Sequence, residues 1–253
     1  MRKIDYSLGE FMFNGRSSKD FSICIEKAPS FSRPMRSHNI YKVPGRSGDI
    51  IEPLDAYENI ERSYDIWAAN DSFTNAAQDY DSIAEWLYNS NGYCRLEDDF
   101  EPGIFRLAYF VGPIDVENLL NMYGRTTITF NCKPEKYLVN GDKPITLTNS
   151  AYTSMLNPTK FRAKPFIKLK HNSGTGSVQI TGDFSSGTGL QISNVNADTY
   201  IDCELMDVYT DTGSKNSDTT GEFPFLDPGL HRIYFRSTGV GVTATLVPRW
   251  YTI

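Results

Sequence analysis

The sequence predicts a mainly β protein in two parts, a β-rich N-terminal domain over 1–138 with one helix and a β-sandwich over 139–253. Three observations carry this. Short segments of alternating apolar and polar residues recur along the whole chain. Asn-Gly pairs, glycines and prolines punctuate them at the spacing of hairpins. Only the stretch after Asn75 carries the stripe of an amphipathic helix.

The elements follow in order. Residues 10–13 run into Asn14-Gly15, the strongest short-range hairpin signal, and 20–25 alternate with period two. Pro29 and Pro34 close that unit. An extended segment from Arg33 to Asp49 then carries Met35, Ile40, Tyr41 and Val43 with no clear partner strand in its own chain. Two roles are open to it, contact with a sister chain or a covering loop on its own domain. Within it, Val43-Pro44-Gly45-Arg46-Ser47-Gly48-Asp49 reads as a turn, with Pro44 presetting φ and two glycines free to take positive φ. Residues 62–67 read as a strand. The helix is capped by Asn75, with Gln78 three residues on; Tyr80, Ile83, Trp86 and Leu87 form its apolar stripe and Asn91-Gly92 its stop. Strands resume at 93–96, 105–111 and 125–132. The polar, turn-rich stretch 139–165 marks the domain junction. Beyond it, 166–170, 177–181, 189–192, 200–205, 231–235 and 242–247 alternate at sandwich spacing. Gly174-Thr175-Gly176 and Gly187-Thr188-Gly189 read as hairpin turns between them.

Composition excludes several function classes. The chain has 253 residues with 25 basic and 31 acidic side chains, a formal charge of −6. That balance argues against nucleic acid as a bound ligand, since duplex affinity rests on clustered Lys and Arg. No run of about 18 apolar residues exists to span a bilayer. Met1-Arg2-Lys3-Ile4-Asp5-Tyr6 opens basic but leads into no apolar stretch, so no secretory leader is expected. Cys24, Cys94, Cys132 and Cys203 stand alone and read as small reduced hydrophobes, so neither a metal nor a cofactor is expected. His38, His171 and His231 fall in separate segments, and no G-x-S-x-G occurs. Glu97, Asp98, Asp99 and Glu101 before Pro102-Gly103 read as an exposed turn, because neighbours on a strand point to opposite faces. The loop 207–218 places Tyr209 or Gly213 third, where a calcium loop needs an oxygen ligand. No catalytic residue is therefore expected. Aromatic residues on a sandwich surface leave carbohydrate recognition as the alternative.

Several motifs taken together resemble one family. Asn14-Gly15 with Asp20-Phe21, Val43-Pro44-Gly45-Arg46 with Gly48, Trp86-Leu87 and residues 130–137 resemble the N-terminal half of distal tail (Dit) proteins. These are baseplate hub components of long, non-contractile-tailed phages of Gram-positive bacteria. Lys164-Pro165-Phe166-Ile167, residues 200–204 and 221–229, and Pro248-Arg249-Trp250 resemble that family's galectin-like domain. Ser47 departs from the acidic residue usual in the first turn, and the second half carries no obvious inserted receptor-binding arm. The resemblance implies a homo-hexameric ring, single or stacked in pairs, between the tail tube protein and the tail-associated tip protein. DNA would pass through it unbound. Its place would be the virion tail tip after synthesis in the host cytoplasm, with no membrane contact. The expected intersubunit contacts are the hairpin at Asn14 and Gly15 and the extended segment at Met35, Ile40, Tyr41, Val43, Pro44, Gly45 and Arg46. The expected alternative is a carbohydrate-binding module that touches the host cell wall.

Overall fold

A computed structural model describes residues 8–69, 76–113, 117–118, 123–184 and 189–253. They divide into two compact units, one within Met1–Lys136 together with Ile253 and one within Tyr137–Thr252. The chain is mainly β, with one α-helix among the described residues.

The N-terminal unit contains β1 (Phe11–Phe13), β2 (Arg16–Ser17), β3 (Ile23–Lys27), β4 (Arg36–Tyr41), β5 (Ile50–Tyr57), β6 (Ile60–Ala69), α1 (Ala76–Tyr88), β7 (Cys94–Asp98), β8 (Ile104–Phe110), β9 (Glu117–Asn118) and β10 (Tyr123–Cys132). Its main sheet runs in the order β2-β1-β7-β8-β10-β6-β3. Asn14 and Gly15 hold φ of 50° and 78°, the pair of positive values that a two-residue hairpin twisting with its strands requires. Residues 20 and 21 close a 3-10 turn over Ser18–Phe21 rather than open a strand. Ser17 and Asp20 form a reciprocal capping box there, and β3 begins only after Ser22 turns left-handed at φ 54°. On α1, Ile83, Trp86 and Leu87 are buried, as their spacing predicts. The expected cap Asn75 and the side chains of Gln78 and Tyr80 lie outside the described residues.

The C-terminal unit follows β11 (Lys136–Leu138), which pairs with β21 (Tyr251–Thr252). It contains β12 (Ile145–Leu147), β13 (Ala151–Asn157), β14 (Phe166–Gly182), β15 (Leu190–Val195), β16 (Thr199–Asp202), β17 (Asp207–Thr210), β18 (Gly213–Ser214), β19 (Thr219–Thr220) and β20 (Gly229–Val247). The expectation of two strands over 166–181 and two over 231–247 fails. Each pair is one long bent strand, and Gly174-Thr175-Gly176 lies inside β14, not in a hairpin turn. The register between β14 and β20 shifts twice, at His171/Ser173 and at Gly174/Ser177. On one side of the bend, Phe166–Leu169 pair with both β16 and β20; on the other, Val178–Ile180 pair with β15 and β20. Glycine is required at the bend because Gly174 has φ of 76° and a Cβ on Gly176 would overlap the Thr238 carbonyl oxygen. Inward residues from both sides of the bend, Ile167, Leu169, Val178, Ile180, Phe235 and Leu246, meet in one core. Residues 151–157, expected to be linker, are β13 and pair along their full length with β20.

Replacing Gly176 with alanine is expected to lower stability by about 1–3 kcal/mol, the usual cost of overpacking a site that cannot yield. The urea midpoint of unfolding reads this directly.

Candidate assembly surfaces

The N-terminal unit is organised by a buried ionic knot. Arg62, inward on β6 and almost wholly buried, donates Nε and Nη2 to Asp98 Oδ2 at 3.1 and 2.7 Å. Its Nη1 donates to the Ser30 carbonyl at 3.1 Å. Tyr64 donates its hydroxyl to the same Asp98 oxygen at 2.6 Å. The other Asp98 oxygen accepts the backbone N–H groups of Phe100 and Glu101. Glu101 in turn faces Lys136 Nζ at 2.8 Å and Arg106 Nη2 at 2.5 Å. Burial opposes ionisation of Glu101, but the hydrogen bond from Lys136 and the charge of Arg106 outweigh it and hold the carboxyl below the usual glutamate value. Burial and the Asp98 charge push the Tyr64 phenol well up, so it stays a donor.

The expectation that residues 97–101 form an exposed acidic turn is therefore corrected for Asp98 and Glu101. Both turn inward onto Arg62, because the chain leaves β7 at Asp98 and the turn swings Glu101 back over β8. Each is matched by cations, so the pair offers no free acid and base. Among the described residues no group of three His, Cys, Asp or Glu is placed to hold a metal.

Against this knot leans a run of stacked rings. Phe11 lies on Tyr64 (centroids 4.7 Å apart, 18° between planes), Trp86 on Phe11 (5.7 Å, 11°) and Phe21 on Trp86 (4.4 Å, 12°), with the Arg16 guanidinium 4.3 Å over Phe21. Trp86 Nε1 donates to the Phe13 carbonyl at 3.0 Å, which ties α1 to the hairpin of β1 and β2. Asn14 and Gly15 form the exposed tip of that hairpin, and a groove of about 320 Å³ opens beside it between Asn14, Arg16, Phe21 and Trp86.

The extended segment does have a partner in its own chain. β4 pairs with β5 as a separate two-stranded ribbon, closed by the turn over 43–48. Every residue of β5 is exposed, as are Met35, Ile40, Tyr41, Val43, Pro44, Gly45 and Arg46. The covering-loop reading fails, since a covering loop would bury one face. Met35 is 65% exposed, Ile51 64%, Ile40 52% and Leu54 49%, so apolar side chains stand in water along both strands. Polar pairs hold the ribbon's register: Tyr41 donates to Glu52 at 2.8 Å and Arg36 bridges to Asp55 at 2.6 Å. The hydroxyl of Tyr41 and the amide of Asn39 hold the Glu52 carboxyl below its usual value. At the root, Glu58 N–H donates to the Met35 carbonyl, and Asn59 reaches Tyr93 and Asn131. Ser30, just ahead of the ribbon, is held by Arg62.

No protein-family model and no curated protein matches the sequence. Solved structures match it from end to end. The crystal structure of SPP1 Dit, described as a paradigm of the hub adsorption apparatus in phages infecting Gram-positive bacteria, superposes with a TM-score of 0.67. It covers 98% of this chain and 100% of its own at 14% identity. The fold is that of a distal tail protein. A chain of the phage p2 baseplate in its activated conformation with strontium matches at TM-score 0.53 and 11% identity, over 95% of this chain and 98% of that one. The activated conformation with calcium matches at 0.52 and 11%, over 94% and 97%. The distal tail fold thus spans both units. Sequence reasoning missed the knot; its one signal was Arg62 in inward register with Ile60, Tyr64 and Ile66.

Two outcomes follow for this unit. Arg62→Met, which strands Asp98 without its cation, is expected to cost about 3–5 kcal/mol in urea unfolding. Glu101 has a folded pKa below its usual 4.5, so its contribution is complete above that pH and is lost as pH falls through the depressed value. Stability measured down through pH 4 should fall more steeply in the native protein than in Glu101→Gln.

Proposed function

We propose that this chain is a structural, non-catalytic hub subunit of a phage tail tip, assembling head to tail as a hexameric ring, single or stacked in pairs. The observation that carries the reading is the match to SPP1 Dit over 98% of this chain and all of the other. A shared domain alone would have matched one unit. The ring would join the tail tube protein on one side to the tail-associated tip protein on the other, with DNA passing through. The protein would be made in the host cytoplasm and reside in the virion tail.

The ribbon supplies the physical means. A closing ring needs a heterologous contact, and a ribbon with free edges and exposed apolar side chains provides one half of it. Met35, Ile40, Tyr41 and Val43, the turn at Pro44, Gly45 and Arg46, and the hairpin tip at Asn14 and Gly15 are the proposed contacts. At −6 per subunit, six copies total −36, and a lumen without a basic stripe lets a duplex slide.

Light scattering with negative-stain imaging tests the reading. Six chains of 28.6 kDa give a particle of about 172 kDa with sixfold views, or twice that mass for a stacked pair. Ile40→Asp should abolish rings while leaving the far-ultraviolet circular dichroism unchanged, because the side chain is solvent-exposed in the protomer. A protein that stays monomeric at high concentration and with its tail partners present would overturn the proposal.

A further inference from the structure

We propose that the outward face of β19, β15, β14 and β20 is a saccharide-binding groove. Strand register lays Thr220, Gln191, Gln179 and Arg236 in one row across four strands. At about 4.8 Å per strand the row runs about 14 Å. A second row beside it holds Ser193, Ser177 and Thr238, the last two directly paired. Alternation fixes these side chains outward, since Val178, Ile180, Ile192 and Phe235 on the intervening positions fill the core. Together the rows line a groove of about 320 Å³. One step further along the strands, Thr181 pairs with Tyr234 and Tyr234 with Tyr152. The two tyrosine rings stand 5.0 Å apart, and Tyr152 is 67% exposed.

The chemistry selects the ligand. Amides and hydroxyls both donate and accept, which suits a ligand whose own groups do both. A guanidinium forks onto two adjacent oxygens, the arrangement of a vicinal diol. Tyr234 and Tyr152 offer ring faces for the apolar face of a sugar. Among the described residues Arg236 and Gln191 make no side-chain hydrogen bond or ion pair, so their donors are unspent. Other ligand classes fit worse. Arg236 is the single charged side chain in the lining, too little cation for a phosphate polymer. The lining side chains that face the groove are all polar, so an apolar ligand finds no match. An extended peptide adds to a sheet edge, whereas this groove lies on the face of paired strands.

The inference does not rest on the ring, and the full chain in any assembly state serves for its test. Saturation-transfer NMR and calorimetry would use oligosaccharides of glucose, galactose and N-acetylglucosamine, the corresponding monosaccharides, and glycerol phosphate. Saturable binding of an oligosaccharide is expected, weakened at least tenfold by Arg236→Ala and by Gln191→Ala. Lys170→Ala, exposed on the other side of the β14 bend, should leave it unchanged. Arg236 and the other replaced side chains lie at the surface, so unaltered melting curves would show that the fold is retained. No saturable binding by any of the sugars, binding indifferent to the two groove variants, or binding of glycerol phosphate alone would overturn the proposal.

Discussion

Arg62 is the point on which the N-terminal unit depends. A guanidinium withdrawn from water is tolerable only when its donors are answered, and here Asp98 and the Ser30 carbonyl answer them. The same contacts set the geometry around it. Asp98 fixes the turn between β7 and β8 by accepting the Phe100 and Glu101 backbone N–H groups, and it receives the Tyr64 hydroxyl, where the stack of rings to Phe21 begins. One ion pair thus links β6, the β7–β8 turn, the N-terminal hairpin and, through Trp86, the helix.

The C-terminal unit reaches order by another route. Its ionic contact of consequence, Arg249 bidentate on Asp202, pins the last residues to the end of β16, with Asp202 also accepting the Glu204 and Leu205 N–H groups. The architecture itself comes from β14 and β20, two long strands that bend together where glycines remove side chains. A bent pair lets a single ladder supply core residues from both sides of the bend, and it leaves the outward positions free for polar rows such as the one ending in Arg236.

Much of this was legible from residues alone. Period-two segments located several of the long strands, β6, β8, β10, β14 and β20 among them, the Asn14-Gly15 turn was specified by its φ requirement, and the stripe of Ile83, Trp86 and Leu87 located the helix. Three features were hidden for physical reasons. Gly174 to Gly176 spell a turn locally, and only the pairing with β20 makes them a bend. β13 places Thr153 beside Ser154 and Met155 beside Leu156, which breaks the alternation, so its identity lies in its partner rather than in its own pattern. β5 holds Pro53, which suits the edge strand of a ribbon but weakens any local strand signal. The knot was hidden because charge that is buried in pairs has the same composition as charge in solvent. Of the candidate contact residues, those on β4 and in the turn that follows could be named in advance, but neither β5 nor the ribbon's standing clear of the core.

The ribbon's two wet faces have a cost in the single protomer. With neither face sequestered, no hydrophobic penalty opposes a slip by one position, and Tyr41–Glu52 and Arg36–Asp55 are the contacts that resist it. Both outer edges also present unsatisfied amides and carbonyls to any passing strand. A protomer held at high concentration is therefore prone to pair edge to edge and clump.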